Sequence, residues 1–267
     1  MQRFTLRLTS LSLWLAGAAC VPVAHGTPAV GNRTVLLELF TSQGCSSCPA
    51  ADAFVRELPS LGLDRSKVVP LVFHVDYWND LGWTDPFSRA GFTARQRHYA
   101  DAGGLGAPDG EDGIHGLYTP QMVLDGAVHF SGARRRLALA EIERARAVPA
   151  VLDLEAEVVL EADRARVKAR VAVRQPSATK ERWQVVVAVA AKATSTRVTR
   201  GENSGETLAE AAVVRALSAP VNVTLPQVQP VEIIIPRPAD TPWSALELSA
   251  FVQSEATLHV AAARMLQ

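Results

Sequence analysis

The chain lacks the features that would mark several common classes of protein. It has only three cysteines, so a zinc site built from four cysteines cannot form. Basic and acidic residues balance at 27 each, and no net charge favours nucleic acid or an anionic surface. Aromatic residues make up 6% and are not interleaved with basic ones, so a nucleic-acid groove is not indicated. We expect no nucleic-acid partner.

The N-terminal segment, residues 1–26, has the pattern of an export signal. Arg3 and Arg7 precede a short apolar run, Leu11 to Ala19, which is too short to span a bilayer. Small residues in Ala24-His25-Gly26 predict cleavage at the end of this segment. We expect a periplasmic or secreted protein without a membrane span.

A lipid anchor at Cys20 is the alternative form of export. Ala18-Ala19-Cys20 resembles a lipoprotein cleavage site, but Gly17 stands where leucine is preferred. Either route leads to an oxidising compartment. After cleavage near residue 26 the chain would keep two cysteines, Cys45 and Cys48.

These two cysteines follow an apolar run that predicts a buried strand, Val35 to Phe40. The helical spacing of apolar residues predicts a helix over 46–58, so the pair lies at a helix start. Backbone N–H groups and the helix dipole stabilise a thiolate there. We therefore predict a thiol–disulfide oxidoreductase without a cofactor, in which Cys45 attacks and Cys48 resolves the mixed disulfide.

Two other interpretations of the pair stay open. One is a binding or assembly protein with a permanent Cys45–Cys48 disulfide, although so short a loop gives little stabilisation. The other is a Cu(I) metallochaperone, because soft thiolates suit that ion. The histidines that would complete such a site are His74, His98 and His115.

One acidic side chain and one aromatic loop are further candidates near the cysteines. Glu38 interrupts the first strand, and a partly buried carboxylate there would shuttle the proton of the resolving thiol. The alternative is a solvent-facing position at the edge of the sheet. Tyr77, Trp78 and Trp83 belong to one aromatic loop. They either line a substrate groove or form a small core beneath the loop.

The pattern of elements changes at residue 150. Residues 33–149 predict strand, helix, strand, helix, hairpin and helix, an α/β arrangement in which Asp125-Gly126 forms the hairpin turn. Residues 150–267 contain short β-like runs separated by turns, which predicts a second, all-β, sandwich-like domain.

Cys45-Ser46-Ser47-Cys48 after a strand, with Thr119-Pro120 before a later hairpin, resembles the thioredoxin superfamily. In that fold a cis-proline faces the cysteine pair and helps to hold the substrate chain. The resemblance implies a thioredoxin-like domain, a cis Thr119–Pro120 bond and a protein cysteine pair as substrate. Thr119 and Pro120 are then expected substrate-binding residues, and Trp78 of the aromatic loop is expected to join them by lining the groove.

More narrowly, the chain resembles an uncharacterised secreted bacterial family, a thioredoxin-like domain of unknown function. The motifs that carry this likeness are Phe40 to Ala50, His74 to Trp78, Gly82 to Ser88, Thr93 to Arg97 and Tyr118 to Gln121. Gly44 replaces the tryptophan that usually precedes the first cysteine in thioredoxins. The partners of thioredoxin itself are therefore not implied.

Overall fold

The structure, a computed structural model, describes residues 32–102, 105–106, 116–227 and 229–267. The predicted export signal with Cys20 lies outside these residues, as does His115. Among the described helices, none is long and apolar enough to cross a membrane.

The first half of the chain, residues 33–149, has the predicted order of strands and helices. Its elements are β1 (Val35–Thr41), α1 (Pro49–Glu57), β2 (Val68–His74), α2 (Ala90–Ala102), β3 (Gln121–Leu124), β4 (Val128–Ser131) and α3 (Arg135–Ala147). Helix α1 begins with Pro49 in its first turn, where the missing N–H of proline costs nothing. Apolar periodicity and turn residues therefore predict these local elements well.

The second half, residues 150–267, contains a strand at each predicted β-like run. These strands are β5 (Leu152–Leu160), β6 (Arg164–Val173), β7 (Trp183–Arg197), β8 (Thr207–Leu217), β9 (Val221–Val223), β10 (Val231–Pro236), β11 (Leu246–Ser254) and β12 (Val260–Met265). Most are longer than the sequence pattern indicates, because pairing extends a strand beyond its apolar residues.

Strands from both halves join one large sheet. The order is β12-β11-β7-β8-β2-β1-β3-β4, with β9 beside β7, and β10-β6-β5 forms a second, three-stranded sheet. β2 and β8 meet in parallel at Val72 and Val213. The chain is thus a mixed α/β protein with a large multi-stranded sheet and few helices. A separate all-β domain is not confirmed, because the sheet runs across the expected boundary.

Alternating residues of β1 face opposite sides of this sheet. Leu37 and Leu39 pack with α1 and α3, whereas Leu36 and Phe40 pack with α2 and with β11 and β12. A third core cluster lies between the three-stranded sheet and strands β7 and β11. The helix that follows the cysteines therefore covers one face of the large sheet only.

The predicted Asp125-Gly126 turn is confirmed, and the second half holds it in place. Both residues have positive φ, 49° and 60°. The Asp125 carboxylate accepts hydrogen bonds from the Leu36 N–H and from Arg33, at 2.7 and 2.5 Å. The Val260 N–H donates to the Asp125 carbonyl at 2.7 Å. The hairpin is thus fixed both to β1 and to the start of β12.

We predict that Gly126→Ala destabilises the protein more than Gly62→Ala does. Both glycines have positive φ, which an alanine adopts at a cost of about 1–2 kcal/mol. A Cβ at Gly126 would also overlap the backbone carbonyl of Leu258, whereas a Cβ at Gly62 meets no described residue within 4 Å. Urea unfolding should give the Gly126 variant a larger loss, by about 1–3 kcal/mol. Equal losses would mean that the turn does not pack against Leu258 in solution.

Candidate functional site

Cys45 and Cys48 form a disulfide at the N-terminus of α1, with Cα atoms 5.5 Å apart. Cys48 caps the helix, and its carbonyl accepts the N–H groups of Ala51 and Asp52. Both cysteines are buried, at 1% and 0% exposure, while Ser46 and Ser47 between them are exposed. The sulfur atoms thus lie beneath the tip of the turn.

The Thr119–Pro120 bond is cis, as the resemblance implied. The Thr119 carbonyl lies 3.9 Å from Cys45 Sγ, so the fold brings these distant segments together. The indole N–H of Trp78 donates to the Thr119 hydroxyl at 2.9 Å. Gln96 of α2 donates to the Tyr118 carbonyl at 2.8 Å. Two side chains therefore hold residues 118–120, which we call the proline loop, against the disulfide.

Close packing also joins α1 to the proline loop at Gly132. The Gly132 N–H donates to the Pro120 carbonyl at 2.9 Å. A Cβ at Gly132 would lie 2.9 Å from the Ala51 Cβ and 3.0 Å from the Pro120 Cβ. Because real Cβ atoms essentially never approach so closely, only glycine fits here without a shift of one neighbour.

Residues 43–48, which we call the cysteine turn, are connected to a group of buried charges by Gln43. Its backbone N–H donates to Asp85 at 2.8 Å, and its side-chain amide donates to Glu210 at 3.0 Å. The indole N–H of Trp83 donates to the side-chain oxygen of Gln43 at 3.3 Å. Gln43, Asp85 and Glu210 are each almost fully buried. The residue two before Cys45 is thereby fixed to both halves of the chain.

His74 supplies the positive charge of this group. Its Nδ1 lies 2.7 Å from Asp85 and its Nε2 lies 3.8 Å from Glu210. Burial opposes the charge, but the hydrogen bond to Asp85 and the nearby carboxylates outweigh it and raise the pKa of His74 to about 9. Burial also acts on Asp85, yet His74 holds the pKa of that carboxyl below its usual range. His74 and Asp85 are therefore an ion pair at neutral pH.

Asp52, one helical turn after Cys48, is a buried acid that sequence reasoning missed. Its Oδ2 accepts a hydrogen bond from the Thr41 hydroxyl at 3.2 Å, and its Oδ1 has no hydrogen-bond partner among the described residues. Burial, and then the charge of Glu210, raise the pKa of Asp52 to about 7. The only signal in the sequence was an acid within the otherwise apolar face of α1.

Glu38 does not approach the cysteines. It is fully buried, but it faces the side of the sheet opposite to α1. Arg95 donates to it at 2.6 Å, and the Tyr99 hydroxyl is also bonded to it. The alternative of a solvent-facing edge position is wrong as well. Glu38 has the geometry of a structural ion pair and not of a proton shuttle for Cys48.

Of the histidines considered for a copper site, the structure describes His74 and His98, and neither is placed to hold a metal ion together with the cysteines. The Nδ1 of His74 is bonded to Asp85, and His98 lies exposed on α2. Among the described residues, no cluster of three or more His, Cys, Asp and Glu side chains is placed to hold a metal ion.

The tip of the β7–β8 hairpin covers the cysteine turn. Asn203 donates to the carbonyls of Gln43 and Cys45 at 2.9 and 3.0 Å, and Glu202 accepts the Ser46 N–H at 2.9 Å. The sequence marked these residues only as a turn between strands. No local pattern links them to the cysteines.

Fold and site together define a mixed α/β protein in which a disulfide at a helix start faces a cis-proline and a group of buried charges. The chain belongs to the DUF1223 family, described as proteins of unknown function, whose sequence model matches residues 36–253. None of the curated proteins matches this chain.

Solved structures show the same fold. A protein from Agrobacterium tumefaciens is 25% identical with a TM-score of 0.63, and the match covers 88% of this chain and 94% of that one. HBP35 of Porphyromonas gingivalis is 14% identical with a TM-score of 0.54, covering 88% and 75% of the two chains. The likeness to HBP35 concerns the fold alone.

We predict that Asp52→Asn stabilises the protein at pH 8 but not at pH 4. The folded-state pKa of about 7 lies above the usual aspartate value of 3.8, so ionisation opposes folding as pH rises between these values. Asparagine removes this penalty, which reaches up to about 4 kcal/mol above pH 7. Urea unfolding of both proteins from pH 4 to pH 8 measures the difference.

Asp64→Asn is the matched control for this experiment. Hydrogen bonds from Ser66 hold the pKa of this exposed carboxyl below its usual range, so its pH dependence should have the opposite sign and be small. A stability difference for Asp52→Asn that does not change with pH would contradict the assignment.

Proposed function

We propose that this chain is an exported thiol–disulfide oxidoreductase with a thioredoxin-like domain. The observation that carries the proposal is the Cys45–Cys48 disulfide at the start of α1, placed against the cis Thr119–Pro120 bond. Helix starts favour thiolates, and a second cysteine within one turn can resolve a mixed disulfide. The substrate would be a cysteine pair of another protein.

The exchange proceeds through two sulfur displacements. A substrate thiolate attacks Cys45 Sγ; the Cys45–Cys48 bond breaks and Cys48 leaves as a thiolate. The second substrate thiolate then attacks the substrate sulfur of the mixed disulfide and releases Cys45. The substrate leaves oxidised and the pair is left reduced, with no other oxidant required. The same steps in reverse reduce a substrate disulfide.

Asp52 is the proton carrier that best fits this reaction. It is buried one helical turn from Cys48, and a pKa of about 7 lets it hold a proton or give one up near neutral pH. In the oxidising direction it donates to the departing Cys48 thiolate. In the reducing direction its carboxylate accepts the Cys48 proton. Asp52 thus takes the role that the sequence had suggested for Glu38.

The surface beside Cys45 suits a polypeptide. Thr119 is partly exposed next to the sulfur, and Trp78 fixes its hydroxyl. Tyr77 and Leu81, from the same aromatic loop, are large exposed apolar side chains. Exposed apolar groups beside a reactive centre favour binding of a protein chain. Thr119, Pro120 and Trp78 remain our proposed substrate-binding residues.

We predict that Cys45→Ser abolishes insulin reduction and peptide-dithiol oxidation, because it removes the attacking sulfur. Cys48→Ser should instead accumulate mixed disulfides, which non-reducing gels and mass spectrometry detect. If the wild type exchanges neither with glutathione nor with a model dithiol, the proposed function fails.

We further predict that Asp52→Asn flattens the pH dependence of exchange near pH 7 and lowers the rate by about 10²-fold, as expected when a general acid–base group is lost. Glu38→Gln serves as the comparison. It removes a buried carboxylate bound to Arg95 on the other face of the sheet, so it should reduce stability and leave the pH–rate profile unchanged. A profile changed by Glu38→Gln alone would reverse the two assignments.

A binding protein with a permanent disulfide is the second candidate, and the burial of both cysteines favours it. A redox titration separates the candidates, because structural disulfides have potentials below about −300 mV. A higher potential would support exchange.

A further inference from the structure

The connection between β7 and β8, residues 198–206, lies directly over the cysteine turn, and we call it the capping loop. Asn203 donates to the carbonyls of Gln43 and Cys45, and it is itself buried. Glu202 accepts the Ser46 N–H at 2.9 Å. The loop therefore binds the backbone on both sides of the attacking cysteine.

Hydrogen bonds within the capping loop give it a defined shape. Val198 and Glu206 pair across its base at 3.0 Å, and the Gly205 N–H donates to the Val198 carbonyl at 2.9 Å. At its tip, Gly201 packs on Trp83, where an added Cβ would lie 3.1 Å from the Trp83 Cβ. The loop is thus a formed hairpin end that docks onto the aromatic loop and the cysteine turn together.

Glu202 accepts the backbone N–H of Ser46, the residue next to Cys45, and so places a side-chain carboxyl group beside the attacking cysteine. Backbone N–H groups at a helix start lower the pKa of a nearby thiol, because they bind its anion. Hydrogen bonds from Ser46 hold the pKa of Glu202 below its usual range, so the side chain is a carboxylate. A thiolate at Cys45 would meet a like charge and would compete with it for the same N–H.

We propose that the capping loop is a gate on the redox pair, in which Asn203 holds the cysteine turn closed and Glu202 disfavours the Cys45 thiolate. The proposal rests on the exchange function proposed above and adds its regulation. Disulfide and protonated thiol carry no charge, so the closed loop suits both. A substrate that displaces the loop would free the Ser46 N–H and remove the carboxylate, and thereby activate Cys45.

Other titratable groups also surround the cysteine turn. Asp52 comes from α1, His74 from β2 and Glu210 from β8, while Asp85 and Tyr77 come from the segment after β2. Glu202→Gln leaves all of these in place. Glutamine also keeps an oxygen that can accept the Ser46 N–H. The substitution therefore removes the charge of the loop without removing its hydrogen bond.

The first experiment measures the thiol pKa of Cys45. Full-length Cys48→Ser protein, fully reduced, is alkylated with iodoacetamide from pH 5 to pH 10, and the Cys45 peptide is quantified by mass spectrometry. Adding Glu202→Gln should move the midpoint to lower pH and raise the rate at pH 6 by about three- to ten-fold, one pKa unit being a factor of about ten. Adding Glu206→Gln, an equal charge change on an exposed residue of the same loop, should change neither the midpoint nor the rate at pH 6.

The second experiment measures closure of the loop. In the otherwise native chain, Asn203→Ala should raise the rate at which dithiothreitol reduces the Cys45–Cys48 disulfide by about five-fold, since two hydrogen bonds that hold the turn are lost. Thermal unfolding checks that each variant is folded. Should Asn203→Ala not fold, Glu202→Ala, which removes an exposed side chain and its bond to Ser46, replaces it.

The outcomes separate the gate from the exchange function. Unchanged midpoints and reduction rates in the Glu202 and Asn203 variants would overturn the gate, even if the wild type exchanges readily with protein disulfides. Shifted midpoints and faster reduction support the gate, and they do so even if no variant oxidises or reduces a peptide. In that second case the exchange function proposed above fails, and the loop is still shown to control the reactivity of the cysteine pair.

Discussion

The hydrogen bonds between Gln43 and Glu210 tie the cysteine turn to the second half of the chain. A carboxylate buried as deeply as Glu210 needs partners, and it has Gln43, the Thr194 hydroxyl and the nearby ring of His74. The backbone of Gln43 is in turn bonded to Asp85. The segment before Cys45, the end of β2 and strand β8 are therefore parts of one buried polar network.

Two buried acids near the cysteines in sequence have opposite roles because of the charges around them. Glu38 meets Arg95, a guanidinium that remains charged at any working pH, and forms a complete ion pair. Within the described part of the chain, Asp52 has only a hydroxyl as a hydrogen-bond partner, and it shares the charge of His74 with two other carboxylates. It therefore binds a proton near neutral pH, which is the property that proton transfer to or from a thiol requires.

The second half of the chain is built into the site and is not an attached module. Strand β8 extends the sheet beside β2, and the backbone of Val260 binds the hairpin turn at Asp125. The capping loop, which joins β7 to β8, contacts the cysteine turn through Glu202 and Asn203. We therefore expect the reactivity of the pair to depend on the whole chain, and the first half alone to lack both the buried Glu210 and the cap.

Local patterns determined the strands, the helix start at the cysteines and the Asp125-Gly126 turn, because these depend on side-chain periodicity and on backbone preferences of adjacent residues. The cis Thr119–Pro120 bond was predicted only through resemblance to a known fold. Glu38 was chosen for its closeness to Cys45 along the chain, yet strand alternation places it on the other face of the sheet. Only tertiary packing brought Glu202 and Glu210 to the cysteine turn, because pairing of β8 with β2 is a long-range contact that no local spacing encodes.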